Sequence, residues 1–221
     1  FKSSPDFVNY RRQRYFRYDD LLPTKGHDNK TILDYGCGPG IESLSLLMES
    51  NNINLYFADV SQTAIGVADR FIKSQGFSGT PILLDHDGFD TKLPDQSVDY
   101  IHCTGVLHHT AQPKSVLMEF ARILKPDGEA RLMVYHKDSL FFRVYIEYLI
   151  QKKYRLHSNL TSDEAFKIQT DGPNCPISRA WTEADVRDLC DNTGLHFRYL
   201  GTGYEPQDLE CSRLIPTAVY D

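Results

Sequence analysis

A glycine-rich turn follows the first apolar run of the chain and has the composition of a ligand-binding loop. Residues 32–40 read ILDYGCGPG, with glycine at positions 36, 38 and 40. Glycine allows positive φ angles and lets a ligand approach the backbone closely, because it carries no Cβ atom. The simplest alternative is a tight turn that binds nothing, since glycine turns are common after strands.

An acidic residue at the end of the second apolar run favours the ligand interpretation. Asp59 stands where a carboxylate can accept hydrogen bonds from both hydroxyls of a ribose. The glycine spacing is GxGxG, with Asp34 two residues before the first glycine, whereas dinucleotide sites show GxGxxG. We therefore expect a ligand that contains a ribose. Among such ligands, nicotinamide and flavin cofactors are the weaker choice.

Three histidines follow apolar runs further along the chain, at His108, His109 and His136. In open α/β sheets, ligands bind at the carboxyl ends of the strands, which is where these residues would lie. Histidine is the side chain best suited to accept a proton near neutral pH. His109 and His136 are therefore candidate catalytic residues. The alternative for each is a histidine that packs or is hydrogen-bonded within a loop.

The elements that would position these residues alternate between short apolar runs and longer amphipathic stretches. This alternation is typical of βαβ units around a parallel sheet and predicts an α/β fold. The predicted strands are Thr31–Tyr35, Asn54–Val60, Pro81–Leu84, Val98–Cys103 and Glu129–Tyr135. The predicted helices are Ile41–Glu49, Gln62–Ser74 and Pro113–Leu124, the last stopped by a turn at residues 125–128 (KPDG).

Residues 137–181 break this alternation, and we interpret them as an insertion after the fifth strand. They contain an aromatic-rich stretch, Leu140–Lys153, that is predicted to be helical. A polar loop at residues 171–174 (DGPN) follows this stretch.

The C-terminal part of the chain, residues 182–221, is predicted to hold a helix and two strands. The helix has Thr182 as its N-cap, Asp185 at the capping-box position and Gly194 at its end. The strands are His196–Gly201 and Leu214–Tyr220.

Five motifs occur in order along residues 31–135. They are LDYGCGPG (33–40), ADVS (58–61), LPDQSVD (93–99), GVLHH (105–109) and LKPDG (124–128). On these motifs the chain resembles the class I S-adenosylmethionine (AdoMet)-dependent methyltransferases. Within that class it is most similar to the small-molecule group that includes ubiquinone and menaquinone biosynthesis enzymes. The resemblance implies a Rossmann-like, doubly wound, mostly parallel sheet of seven strands, with an antiparallel edge strand and an insertion after the fifth strand.

The resemblance also implies that AdoMet is the cofactor and S-adenosylhomocysteine the product. The glycine turn then lies under the methionine and the sugar, Asp34 organises the turn, and Asp59 binds the ribose. An acidic residue after the third strand meets the adenine amine, for which we choose Asp87, with Asp85 as the alternative. The implied cofactor-binding residues are Asp34, Gly36, Cys37, Gly38, Gly40, Asp59, Val60, Asp87, Gly88, Phe89, Cys103 and Thr104.

In the same family, an insertion after the fifth strand commonly forms a lid over the acceptor, and N-terminal residues often fold over the cofactor. We therefore divide the single domain of residues 1–221 into an N-terminal cap (1–30), a cofactor-binding core (31–135), an acceptor lid (137–181) and the C-terminal part. A cationic group beside an aromatic ring suits an acceptor with a carboxylate or a flat ring. The candidate acceptor-binding residues are Tyr10, Tyr15, His136, Asp171, Arg179 and Trp181.

Composition restricts the class of protein and its partners. Hydrophobic residues make up 41% of the 221 residues and charged residues 24%, which is typical of one folded domain. A formal net charge of −6 disfavours nucleic acid as a partner. No apolar run approaches the ~18 residues needed to span a bilayer, so no membrane span is expected. The oligomeric state stays open.

The cysteines, at positions 37, 103, 175, 190 and 211, form no CxxC pair. We therefore expect neither a disulfide framework nor a metal site, and we take a reducing compartment, the cytoplasm, as the location. Because the first residue is Phe1 and not methionine, we expect a trimmed or partial product.

Three functional hypotheses follow from these motifs. The first is a methyltransferase that acts on an oxygen, nitrogen or carbon atom of a small molecule by direct in-line displacement, which needs no covalent enzyme residue. The second is a protein or RNA methyltransferase. An Asn-Pro-Pro-Tyr type signature is missing after the fourth strand, where residues 103–106 read CTGV, and this disfavours base amines. The third is a non-catalytic module that binds AdoMet.

Overall fold

Five parallel strands form the main sheet of the computed structural model, which describes residues 17–201. They are β1 (Thr31–Tyr35), β2 (Asn54–Asp59), β3 (Thr80–Leu83), β4 (Val98–Thr104) and β5 (Leu124–Met133). Their order across the sheet is β3-β2-β1-β4-β5, and every neighbouring pair is parallel. The direction in which strands are added therefore reverses between β1 and β4. In doubly wound sheets, ligands bind at the carboxyl ends of the strands beside this reversal.

Among residues 17–201, six α-helices and two other helical segments connect or flank these strands. The α-helices are α1 (Tyr18–Leu21), α2 (Ile41–Glu49), α3 (Gln62–Ser74), α4 (Pro113–Ile123), α5 (Ser162–Thr170) and α6 (Glu183–Cys190). A short 3₁₀ helix occupies Leu107–His109, and Phe141–Lys153 form a π-helix. The three core helices predicted from the sequence are confirmed. The predicted helix at Leu140–Lys153 forms with π-helical geometry.

Local chemistry explains where these helices begin and end. Ser61 caps α3, since its side chain accepts from the Ala64 N–H, and α4 begins with a proline in its first turn. Thr182 and Asp185 form the predicted capping box of α6. The predicted end of α6 at Gly194 is wrong.

The helix α6 stops at Cys190 because the chain turns back on the helix end. The carbonyl of Cys190 accepts from both the backbone N–H and the hydroxyl of Thr193, at 3.1 and 2.6 Å. These bonds satisfy a carbonyl that would otherwise continue the helical ladder.

The junction between α4 and β5 differs slightly from the prediction. The helix ends at Ile123, and β5 begins at the next residue. The pairing with β4 then shifts, since Leu124 faces Val98 whereas Glu129 faces Tyr100. Residues 125–128, the predicted turn, are therefore an irregularity inside the strand.

A second, two-stranded parallel sheet consists of β6 (Tyr135–His136) and β7 (Ala180–Trp181). The predicted fifth strand does not continue through Val134 to Tyr135, and Tyr135 pairs in this small sheet. The two strands bracket the insertion, so its beginning and end lie side by side.

The prediction of a strand at His196–Gly201 is wrong, because these residues form no strand in the structure. Leu195 and Phe197 pack on the main core, and the Arg187 guanidinium lies 5.0 Å from the centre of the Phe197 ring. The alternating apolar residues of this segment are therefore explained by packing on the core and not by pairing in a sheet. The predicted strand Leu214–Tyr220 lies outside the described residues. Among residues 17–201, neither a seven-stranded sheet nor an antiparallel strand pair occurs.

The main core lies between the sheet and α4, and it contains Tyr35, Ile101 and Phe120, each almost fully buried. The insertion has a smaller core of its own, in which Phe142 and Ile146 of the π-helix contact Phe166 of α5. Within the described part of the chain, no helix is both long and apolar enough to span a bilayer.

Candidate functional site

The glycine turn joins β1 to α2 beside the point where the strand order reverses. Gly36, Gly38 and Gly40 have φ angles of 76°, 51° and 86°, a region that favours glycine. A Cβ atom on Gly36 would lie 2.2 Å from a methyl carbon of Val106, and one on Gly40 would lie 2.8 Å from the Ala68 Cβ. A Cβ on Gly38 would have no neighbour within 4 Å. The outer glycines are therefore required by packing, whereas the middle one borders open space.

Asp59, at the end of β2, lies against this middle glycine. Its Oδ2 accepts from the Gly38 N–H at 3.0 Å, and its Oδ1 accepts from the Ser61 N–H at 2.8 Å. A carboxylate offers about four lone-pair sites, so both oxygens keep the capacity to accept a further hydrogen bond.

A group of buried polar residues lies beneath the turn. Asp34 accepts from the Ser43 hydroxyl at 2.5 Å, and it is paired in register with His102 on β4. The Nε2 atom of His102 lies 2.9 Å from the Thr104 hydroxyl and 3.7 Å from a carboxylate oxygen of Glu42. Sequence reasoning assigned Asp34 and Thr104 to the site and missed Ser43, Glu42 and His102. The available signal was a histidine in the middle of a predicted strand, since buried polar groups require partners.

Cys37 and Cys103 are buried, and burial raises the pKa of both thiols well above the ordinary value. Both cysteines therefore stay protonated near neutral pH. Cys103 lies on β4, directly before Thr104. Neither thiol therefore offers a negative charge to a ligand.

The segment after β3 brings some of the predicted adenine-binding residues together. Val60 is 55% exposed, and a Cβ on Gly88 would lie 3.3 Å from its side chain. The Tyr35 hydroxyl donates to the Gly88 carbonyl, which ties this segment to β1. Phe89 packs partly on the main core.

The two carboxylates considered for the adenine amine are both exposed. Asp87 lies 3.4 Å from His86, and Asp85 lies 3.6 Å from the Lys92 ammonium. These contacts do not distinguish between the two candidates.

His109 connects the end of β4 to the insertion. Its backbone N–H donates to the Val106 carbonyl at 2.8 Å, which places it one 3₁₀ turn after the residue that contacts Gly36. Its Nδ1 lies 2.7 Å from the Ile177 carbonyl, and its Nε2 lies 3.7 Å from Oδ1 of Asp171.

Asp171 is surrounded by three hydroxyl groups. Tyr135 donates to Oδ1 at 3.0 Å and Ser178 to Oδ2 at 2.6 Å, whereas the Thr170 hydroxyl lies 2.9 Å from Oδ2 and shares its one proton with the Phe166 carbonyl at 2.8 Å. Burial alone would raise the pKa of this carboxyl, but these hydrogen bonds outweigh it and lower the pKa. Asp171 is therefore a fixed anion. Arg179 adds a further connection, since it donates to the Thr110 carbonyl at 2.7 Å.

His108 has no exposed surface, and burial lowers its pKa to about 3, with a smaller contribution from His109. Its ring centre lies 4.0 Å from that of Tyr135 and 4.2 Å from that of His109. Neither of its ring nitrogens has a hydrogen-bond partner within residues 17–201. A neutral, enclosed imidazole of this kind is a packing group and not an accessible base.

His136 lies apart from the group formed by His109, Asp171 and Arg179. The side chains of neighbouring strand residues point to opposite faces. Tyr135 contacts His108 and His109, whereas the His136 ring lies 6.1 Å from Tyr199. The Nδ1 atom of His136 accepts from the Asp138 N–H at 3.0 Å.

The remaining candidates for acceptor binding do not join this group. Trp181 is paired in register with His136 and packs against the main core. Tyr10 and Tyr15 lie outside the described residues.

Residues 7–196 match a family model described as a methyltransferase domain. This protein belongs to the methyltransferase domain family. The match extends beyond the five motifs and includes the insertion and α6. The resemblance to class I methyltransferases is therefore confirmed.

Curated relatives of this methyltransferase domain differ in their acceptors. It is 28% identical over 125 residues to the ubiquinone biosynthesis O-methyltransferase of Dechloromonas aromatica, which covers 55% of this chain and 53% of that protein. It is 26% identical over 155 residues to the tRNA U34 carboxymethyltransferase of Campylobacter curvus, which covers 69% and 49% of the two chains. The chain thus spans about half the length of these relatives.

The fold has a counterpart among solved structures. A methyltransferase candidate from Bacillus halodurans superposes with a TM-score of 0.59 at 16% identity, covering 99% of this chain and 80% of that one. At this identity the likeness shows the fold alone, which is the α/β Rossmann-like architecture predicted from the sequence.

Proposed function

We propose that this methyltransferase domain binds AdoMet and transfers its methyl group to a small-molecule acceptor, at an oxygen, nitrogen or carbon atom. The observation that carries the proposal is the open face of Gly38 beside the Asp59 carboxylate, at the point where the strand order reverses. Family membership supports the same reaction.

The residues present fit a nucleoside with a charged methionine tail. Open space above Gly38 admits the ligand, and the Asp59 carboxylate keeps lone pairs for two ribose hydroxyls. The exposed Val60 offers an apolar surface for a flat ring. The backbone near Cys103 and Thr104 then faces the methionine amine. AdoMet, when bound, supplies a methyl group on a positively charged sulfur that a nucleophile displaces directly.

The contribution of the protein to such a displacement is orientation and exclusion of water. We assign the acceptor to the side of the site that the insertion covers, because His109 and Arg179 join the insertion to the end of β4 there. His109 lies closer to the glycine turn along the chain than His136 does. We therefore rank His109 ahead of His136 as the residue that contacts the acceptor. His136 and its β7 neighbour Trp181 would contribute only from the other face of the small sheet.

A small molecule is the preferred acceptor because a net charge of −6 disfavours a nucleic-acid surface. RNA remains the second candidate on one observation, the similarity to the tRNA carboxymethyltransferase. We expect the protein to act in the cytoplasm.

The cofactor half of the proposal is tested by calorimetric titration of the Asp59→Ala variant with AdoMet and S-adenosylhomocysteine. We expect a loss of ~1.5–3 kcal/mol per lost charge-assisted hydrogen bond, which is roughly 10- to 100-fold in affinity. Asp69→Ala is the matched control, since it removes the same charge from α3, where Asp69 pairs with Lys73. Unchanged affinity in Asp59→Ala would contradict the ribose assignment.

The transfer half requires a labelled methyl group. Incubation of the protein and labelled AdoMet with metabolite extract, tRNA or a protein mixture should label a small molecule. Label found only in tRNA or only in protein would overturn the small-molecule assignment. Binding of AdoMet without transfer to any of these pools would favour the non-catalytic module.

A further inference from the structure

We propose that His109, Asp171 and Cys175 form a binding site for a divalent metal ion, with zinc as the preferred ion. One donor atom from each residue lies within 4.8 Å of the donor atoms of the other two. All three side chains are partly exposed, so an ion can enter from solvent. The site lies where the insertion meets the end of β4.

The first argument is the orientation of the His109 ring. A zinc-binding histidine almost always donates its other ring N–H to a carbonyl or carboxylate, which fixes the tautomer. Here Nδ1 lies 2.7 Å from the Ile177 carbonyl, which can only accept, so Nδ1 carries the proton. A neutral ring then presents the lone pair of Nε2.

The second argument is what Nε2 faces. Its nearest charged neighbour is Oδ1 of Asp171, at 3.7 Å. Two acceptors that face each other repel unless a proton on Nε2 or a metal ion lies between them. Two ligands bound at ~2.0–2.1 Å in tetrahedral geometry lie ~3.4 Å apart, so the observed separation is only slightly longer than a zinc site requires.

The third argument is the support of Asp171. Tyr135 and Ser178 donate hydroxyl hydrogens to its carboxylate, and the Thr170 hydroxyl lies 2.9 Å from the same group. Hydrogen bonds of this kind orient a metal-binding carboxylate.

Cys175 supplies the third donor. Its Sγ belongs to the group of donor atoms that lie within 4.8 Å of one another, and it donates to the Ile177 carbonyl at 3.3 Å. The Sγ lies 3.9 Å from the protonated Nδ1 of His109, so the thiol must turn towards Nε2 to bind the same ion. Metal binding would replace that hydrogen bond with a metal–sulfur bond, and the thiol proton would leave to solvent. A set of one nitrogen, one oxygen and one sulfur donor suits zinc and disfavours magnesium and calcium, which prefer oxygen.

Three protein ligands leave the fourth tetrahedral position open, as in catalytic zinc sites. We infer that water or the heteroatom of an acceptor occupies this position, and that the ion lowers the pKa of the group it binds. This role rests on the proposed function. Metal binding itself does not, so the two can fail separately.

The site is tested by titrating the metal-free protein with Co²⁺, which replaces zinc and reports its ligands in its absorption spectrum. We expect one equivalent to bind with a thiolate-to-cobalt charge-transfer band in the near ultraviolet and intense visible bands of tetrahedral cobalt. Zinc should then displace the cobalt and raise the melting temperature. Absence of stoichiometric binding would overturn the proposal and leave a protonated histidine–aspartate pair as the explanation.

Two variants and a control make the test specific. Cys175→Ser should abolish the charge-transfer band, and His109→Gln should weaken cobalt binding at least tenfold. His86→Gln is the matched control, because His86 is a fully exposed histidine beside an aspartate. A charge-transfer band that persists in Cys175→Ser would show that another cysteine binds the ion and would overturn the assignment. Melting temperatures of the metal-free variants establish that each is folded.

Discussion

At the scale of single residues, the three glycines of the turn are needed for different reasons. Gly36 and Gly40 are needed because neighbouring side chains occupy the space of a Cβ atom, whereas Gly38 is needed only for its φ angle and for the space above it. Val106, the residue that meets Gly36, belongs to the segment that leads to His109. A change at Gly36 therefore affects both the cofactor side and the acceptor side.

We predict that Gly36→Ala destabilises the protein and abolishes measurable AdoMet binding. Positive φ alone costs a residue with a Cβ ~1–2 kcal/mol, and the new methyl group would also overlap Val106. Gly76→Ala is the control, since Gly76 has a similar φ of 80° and no neighbour within 4 Å of the added Cβ. Gly76→Ala should lower the free energy of unfolding only by the cost of the positive φ angle, and AdoMet affinity should be unchanged.

A double variant separates overlap from backbone strain at Gly36. Val106→Ala in the Gly36→Ala background should recover part of the free energy of unfolding, because it removes the overlapping methyl groups. Urea unfolding of the wild type, the two single variants and the double variant gives the coupling free energy between the two positions. Strictly additive effects would show that the close approach of Val106 does not matter.

At the scale of elements, a carboxylate of α4, that of Glu119, helps to anchor the segment between β3 and β4. Glu119 is buried and accepts from the backbone N–H and the hydroxyl of Thr91, at 3.0 and 2.5 Å. It also accepts two hydrogen bonds from Arg122, each at 2.8 Å. Arg122 in turn pairs with Asp95. The segment that carries the candidate adenine residues is therefore held against α4.

We predict that Glu119 makes the fold sensitive to acid. Burial would raise the pKa of its carboxyl, but the hydrogen bonds from Arg122 and Thr91 outweigh burial and lower the pKa. A lowered pKa in the folded state contributes stability that is full above the unfolded value of ~4.3 and is lost as the pH falls through the folded value. Glu119→Gln should therefore lower the free energy of unfolding near neutral pH by ~1.5–3 kcal/mol and reduce its loss below pH ~4.3.

Urea unfolding between neutral pH and pH 3 measures this effect. Glu183→Gln is the control, because Glu183 forms an exposed i,i+4 pair with Arg187, and such pairs contribute little. An acid-induced loss of stability as large in Glu119→Gln as in the wild type would show that other carboxyls are responsible.

At the scale of the whole molecule, the insertion is a small unit with its own core that is attached at several points. β6 and β7 bring its ends together, and Arg179 and His109 join it to the segment after β4. Such an attachment suits a lid that covers the acceptor while the main sheet holds the cofactor. The cofactor and acceptor sides should therefore respond separately to mutation.

We predict that Arg179→Ala lowers methyl transfer more than tenfold, or ~1.4 kcal/mol in the barrier, with little change in AdoMet affinity. The reason is the loss of its hydrogen bond to the Thr110 carbonyl, which holds the insertion at the end of β4. Arg187→Ala on the exposed face of α6 should keep full activity. The same assay on His136→Ala tests the opposite face of β6, where we also expect a loss of more than tenfold. Full activity in both Arg179→Ala and His136→Ala would refute the assignment of the acceptor site.

The sequence alone predicted the five strands of the main sheet, the three core helices and the glycine turn with Asp59. These features depend on short-range chemistry, namely apolar periodicity, capping residues and glycine spacing, which is readable from neighbouring residues. The strand predicted at His196–Gly201 failed for the same reason. Its apolar spacing is local, but a strand also needs a partner, and packing on α6 satisfies those side chains instead.

Only the tertiary structure decided which distant residues meet. Cys175 and His109 are separated by 66 positions, and no pattern in the sequence links them, so the cysteine spacing led us to expect no metal site. The pairing of β6 with β7 brings the end of the insertion beside Tyr135. The Tyr135 side chain contacts Asp171, whereas the neighbouring His136 lies near Tyr199. Such contacts arise from the packing of whole elements, because the free energy that holds them comes from buried surface and hydrogen bonds between segments far apart in the chain.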